Sequence, residues 1–170
     1  MTEAAPDLER LQAVLDSSIE GAGPFLRSSF QMPEHSLTAE QLATHLRGSL
    51  TVALATVTAR GEPRVAPINA LFVRGAFCVP SVAQAARARH LAARPAASLT
   101  YYEGHDLAVI AHGQVVLLRD GDPAFDEVDA LQVAAGKESP RDWSGDAVYL
   151  RLDAQRLFTF ARDPARYGAA

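Results

Sequence analysis

Leu50-Thr51-Val52-Ala53-Leu54-Ala55-Thr56-Val57-Thr58, then Ala59-Arg60-Gly61-Glu62, then the run from Pro63 to Val73 that contains Arg64-Val65-Ala66-Pro67-Ile68-Asn69: this stretch decides the fold. The β-branched residues and near-alternation of the first segment mark a strand, and the Gly-containing segment after it marks a turn. The second strand carries prolines at 63 and 67, which predicts an edge or a distorted ladder, because proline has no N–H to donate. Arg74-Gly75 turns the chain into a third strand, Ala76 to Pro80. Strand, short Gly turn, strand, repeated, predicts antiparallel hairpins closing into a barrel or sandwich and excludes parallel α/β order.

Working outward, residues Ser81 to Arg94 read as an alanine-rich helix with Arg87, Arg89, His90 and Arg94 in its second half and Pro95 beyond its end. Ala97 to Tyr102 forms a fourth strand, Glu103 to Asp106 a turn, and Leu107 to Leu118 a fifth strand in which Gly113 marks a bulge. A helix opens at Asp122-Pro123 and runs to Ala135, and a polar loop, Gly136 to Gly145, holds Trp143. Ala147 to Leu152 and Arg156 to Phe160 read as a last strand pair or one bent strand. Upstream, Leu8, Leu11, Val14, Leu15 and Ile19 have helical spacing within Asp7 to Ile19, an amphipathic helix expected to lie outside the main core. Pro24 to Ser36 reads as an irregular connector across the barrel or a partner subunit. Thr38 and Gln41 form a capping box for a helix ending near Arg47 and Gly48. The expected organisation is a helix and connector over 1–35, a barrel over 36–162 and a short tail over 163–170.

The chain has 170 residues, 48% hydrophobic and 21% charged, with net charge −4. That is one domain with a full core, and it gives no global attraction for nucleic acid or an anionic membrane. Any anion site is therefore local. Cys78, the single cysteine, sits in an apolar run and is expected to be a buried, inert thiol. Met1 to Asp16 carries four acidic residues and no secretory pattern, and no apolar run approaches the roughly 20 residues of a membrane helix. The expected location is cytoplasmic.

Familiar catalytic constellations are missing. There is no Gly-rich phosphate loop of P-loop or dinucleotide type and no nucleophile elbow. Histidines 35, 45, 90, 105 and 112 lack metal-ligand spacing, so no metal is expected. What remains is the basic cluster. Guanidinium groups from Arg87 and Arg89 can grip a phosphate near the end of the third strand. By charge spacing alone, the same residues read as a solvated helix face.

The ordered set Leu54-Ala55-Thr56-Val57, Gly61 to Ile68, Phe77-Cys78-Val79-Pro80-Ser81, Arg87-Ala88-Arg89-His90-Leu91, Ala97 to Tyr102, Val109 to Val115 and Tyr149 to Leu152 resembles the pyridoxamine 5′-phosphate oxidase-like, flavin-binding split-barrel superfamily, which includes deazaflavin-dependent reductases. The likeness runs from about Leu50 to Phe160. It implies a mainly β fold with flanking helices, a six-stranded antiparallel split β-barrel. It also implies an FMN-dependent oxidoreductase acting on a small-molecule substrate as a homodimer, with coenzyme F420 as the alternative cofactor. A non-catalytic flavin- or haem-binding protein is the further alternative.

Carried over by position, the resemblance places Arg87 on the cofactor phosphate and Arg89 one step along, with His90 a helix-end residue. Val65, Ala66, Pro67, Ile68 and Asn69, together with Val79, Pro80 and Ser81, flank the ring and ribityl chain. The N-terminal helix and the region of Trp143 complete the partner's pocket, and Phe30, Tyr101, Tyr102 and Trp143 mark the substrate loops. Two departures stand out. The hydroxyl residue usual before the basic position is replaced by Gln84 or Ala85. The family tryptophan after the fourth strand is Glu103, and no Arg-His substrate motif occurs near Arg162 to Tyr167, so vitamin B6 oxidation is not expected.

Overall fold

The computed structural model describes residues 4–168. Its elements are α1 (Ala5–Glu20), α2 (Pro24–Ser29), α3 (Ala39–His45), β1 (Leu50–Val57), β2 (Pro63–Val73), β3 (Ala76–Val82), α4 (Ala86–Ala93), β4 (Ala96–Glu103), β5 (Leu107–Arg119), α5 (Pro123–Ala134) and β6 (Ala147–Ala161). The strands close into an antiparallel barrel in the order β1-β2-β3-β6-β5-β4. Alternation along each strand sends one set of side chains inward, where Val52, Leu54, Phe77, Leu99, Val109, Leu150 and Leu157 pack into one core. Each such side chain contributes about 1.5–3 kcal/mol on burial. A smaller cluster lies outside the barrel wall, where Phe125 and Val128 of α5 cover Leu71, Val73, Cys78 and Tyr149. Cys78 belongs to that buried layer.

The closure is uneven, and the unevenness positions the site. β2 bonds to β1 from residue 63 to 70 but reaches β3 only through Leu71, Phe72 and Val73. Its first two-thirds is an edge, which accommodates Pro63 and Pro67. β1 and β4 meet only over Ala53–Ala55 and Ser98–Thr100. The barrel is thus split between β2 and β3 and pinched between β1 and β4.

Several expectations are corrected. The helix read over 81–94 is shorter: Ser81 and Val82 finish β3 in register with Val148 and Ala147, and the helix begins at Ala86. Pairing to β6 outweighs the alanine-rich helical pattern there. α1 is not outside the core, because Leu11 and Leu15 are buried in it and the Leu157 N–H donates to Ser18 Oγ at 2.8 Å. Its apolar face is spent on its own barrel. The connector contains α2, and Phe30 and His35 pack against Phe160 of β6. Of the two readings of the last segment, the single strand holds: β6 runs unbroken over Ala147–Ala161. The Thr38–Gln41 capping box forms as read, with both reciprocal bonds present, although α3 stops at His45.

Candidate functional site

α4 enters from the turn that follows β3, across the split from β2. Ala88 and Leu91 are buried and hold the helix to the barrel. His90 Nδ1 lies 3.1 Å from Oγ1 of buried Thr56, so this histidine tethers the helix to β1. The N-cap Ala85 has no side-chain acceptor, which leaves the first-turn N–H groups and the positive end of the helix dipole available to an anion. Arg87 is half-buried in that first turn, and among the described residues neither it nor Arg89 has a hydrogen-bond or ion-pair partner.

Helical geometry separates the two arginines. Positions two apart project about 200° from each other, so Arg87 and Arg89 do not face one phosphate together. Arg89 instead lines an open groove of about 600 Å³ between α4 and the β1–β2 turn, with Arg60, Arg64, His90 and Arg94. Glu62 is the only carboxylate among the described lining residues, and it is engaged by Arg64 at 2.8 Å. The cations therefore fall into two separate places around one short helix. Arg60 and Arg64 were missed in reading the sequence because only the hairpin brings them to α4.

The turn itself is fixed from the far side. The Ala83 N–H donates to Asp146 O at 2.8 Å, and the Asp146 N–H donates to Gln84 Oε1 at 3.2 Å. A backbone donor selects the oxygen end of the carboxamide, so the Gln84 NH₂ faces away as a further donor. Gly145 holds φ +121°, a conformation that residues with a side chain rarely adopt, and a Cβ on it would also displace Gln84 Oε1, 2.5 Å away.

The pleat sorts the remaining predicted residues. Val65, Pro67 and Asn69 are exposed on the outer face of β2, whereas Ala66 and Ile68 are half-buried on the inner one. Val79, Pro80 and Ser81 are buried. Tyr102 is exposed, and the Trp143 ring nitrogen donates to Glu138 at 3.3 Å. The Tyr101 hydroxyl donates to Glu103, whose Oε1 also lies 2.7 Å from His45 Nε2. Burial opposes the Glu103 charge, but the bonds from Tyr101 and His45 outweigh it and hold the carboxyl below its ordinary range. Burial and the same bond push the Tyr101 phenol above its ordinary value. This network ties α3 to β4. No group of three metal-ligating side chains is gathered among the described residues.

A closed six-stranded antiparallel barrel, split beside a basic helix, defines a split barrel. The chain belongs to the pyridoxamine 5′-phosphate oxidase family, whose model matches residues 38–161. Comparison with curated proteins finds no match. Among solved structures, the conserved hypothetical protein Rv2991 from Mycobacterium tuberculosis aligns with TM-score 0.58 at 16% identity, covering 92% of this chain and 94% of that one. An F420 reductase aligns at 0.55 and 18%, covering 68% and 94%. HutZ, the haem storage protein from Vibrio cholerae, aligns at 0.53 and 18%, covering 65% and 85%. At such identities the likeness concerns the fold alone. No helix among the described residues is long and apolar enough to cross a membrane.

Proposed function

We propose that the protein is an FMN-dependent oxidoreductase that holds its cofactor in the split between β2 and β3 and acts on a small molecule. The observation that carries this reading is the unpaired Arg87 in the uncapped first turn of α4. Arg87, the Gln84 carboxamide and the first-turn N–H groups hold the cofactor phosphate. Val65, Pro67 and Asn69 lie along the ring and ribityl chain from the β2 edge. Bound flavin supplies hydride or electron transfer, and the protein contributes position, exclusion of water and electrostatics. The exposed apolar face around Val65, Pro67 and Tyr102 is covered by a second copy of the chain, making the active form a homodimer.

A second reading, coenzyme F420, is favoured by the groove of Arg60, Arg89 and Arg94. A cofactor with one phosphate needs one anion site, whereas a deazaflavin that carries further carboxylates fills both. The absorption spectrum of the purified protein, followed by titration with FMN and F420 and by reductant bleaching, separates these outcomes. A flavin or deazaflavin band that bleaches supports oxidoreduction, a Soret band points to haem instead, and binding of none of the three overturns the proposal.

A further inference from the structure

The outer surface of the barrel carries a constellation that no single strand contains. Val65 on β2 pairs with Ala55 on β1, Ala55 with Ser98 on β4, Ser98 with His112 on β5, and His112 with Arg156 on β6. Cross-strand partners share a face, and neighbouring strands lie about 4.8 Å apart, so these residues form one row, apolar at one end and polar at the other.

Ser98 Oγ and His112 Nδ1 are 2.7 Å apart. The two share this hydrogen bond in either direction, and the tautomer in which the Ser98 hydroxyl donates to Nδ1 leaves the ring hydrogen on Nε2. Arg156, next in the row, has no ion-pair or hydrogen-bond partner among the described residues. In that tautomer His112 Nε2 and the Arg156 guanidinium are both donors, at paired positions of neighbouring strands.

The bulge sets their aim. The register shifts between His112 and Gly113, so that His112 faces Arg156 while Gly113 faces Ala154 and Gln155 is the extra residue. Only glycine fits at 113, since a Cβ there would lie 2.1 Å from Asp153 O. Beside the bulge is a groove of about 410 Å³ whose apolar walls include Ala55, Val57 and Pro63 and whose polar corner is Ser98, His112 and Arg156. No carboxylate is among its described lining residues.

We propose that this groove binds a small carboxylate with an apolar body, the carboxylate on His112 Nε2 and Arg156 and the body against Ala55, Val57 and Pro63. Arg87 does not line this groove, and the proposal stands apart from the identity of the cofactor.

Benzoate serves as the probe, titrated into the full-length protein while the His112 imidazole is followed by ¹H–¹³C NMR. Saturable shifts with benzoate, absent with neutral benzamide and weakened about tenfold in Arg156→Gln, support the site. Arg156 is exposed, so this variant is expected to fold as the parent does, which circular dichroism checks. Shifts that do not saturate, equal binding of benzamide, or unchanged affinity in Arg156→Gln overturn it. A chain that binds no flavin or deazaflavin but takes benzoate refutes the function proposed above and leaves this site standing.

Discussion

Arg141 and Arg87 occupy opposite electrostatic situations. Arg141, beyond α5, bonds Asp120 at 2.7 Å and Asp129 at 2.9 Å, reaches Asp126, and lies over the Phe125 ring. Asp129 in turn accepts from Ser139 at 2.7 Å and from buried Tyr149 at 3.0 Å. One cation is consumed by three carboxylates, and the product is a brace that holds the loop after α5 to the barrel wall. Arg87 and Arg89, on an equally short stretch of chain, have no partner among the described residues. The difference teaches that charge density does not identify a binding residue. A guanidinium whose donors are already satisfied inside the fold has nothing left to offer, while an unpaired one in a half-buried place does.

That contrast can be broken by mutation. Asp129→Ala strands Ser139 and Tyr149 and takes one of three carboxylates from Arg141, and should cost about 3 kcal/mol in chemical denaturation, the scale of a broken buried network. Arg87→Ala should lower cofactor affinity by about 2 kcal/mol in a fluorescence titration while changing folding stability by less than about 0.5 kcal/mol. Equal losses in folding and binding would erase the distinction between the two regions. Replacing Arg60 and Arg94 together by alanine should weaken F420 binding about tenfold and leave FMN binding unchanged, and an unchanged F420 affinity would reduce that groove to a solvated face.

The smallest expected effects come from pH. Hydrogen bonding to Arg141 holds the Asp120 carboxyl below its ordinary range. Its contribution is therefore present above that range and is lost as pH falls through the lowered value, so thermal stability should decline in acid and decline less in Asp120→Asn. Burial, with the bond to Asp129, raises the Tyr149 phenol above its ordinary 10.0. Stability tied to it is complete below 10 and is lost as pH rises through the raised value. Absorbance at alkaline pH should show this tyrosine ionising last, and ionisation together with exposed tyrosines would mean that the brace is open in solution.

Much of the fold was legible because it rests on local pattern. The run from Leu50 to Val73 reads as a hairpin from its β-branched residues, its turn and its prolines, and the pleat then dictates which side chains face inward. Thr38 with Gln41 reads as a capping box because that motif lies within four residues. Failures came where a long-range contact overrode a local preference. Ser81 and Val82 lie in an alanine-rich stretch yet pair with β6, and α1 spends its apolar face on its own barrel.

The candidate site divides the same way. Sequence by itself determined that a basic helix follows the third strand and that any anion site must be local, since residue types and their order need no coordinates. Only the tertiary structure decided which of those cations are free. Helical rotation parts Arg87 from Arg89, the hairpin turn brings Arg60 to Arg89, and strand register sets Ser98, His112 and Arg156 in one row. Those contacts join residues up to 44 positions apart along the chain, as His112 and Arg156 are. No local pattern encodes such distances, because register and closure are settled by the packing of the whole barrel.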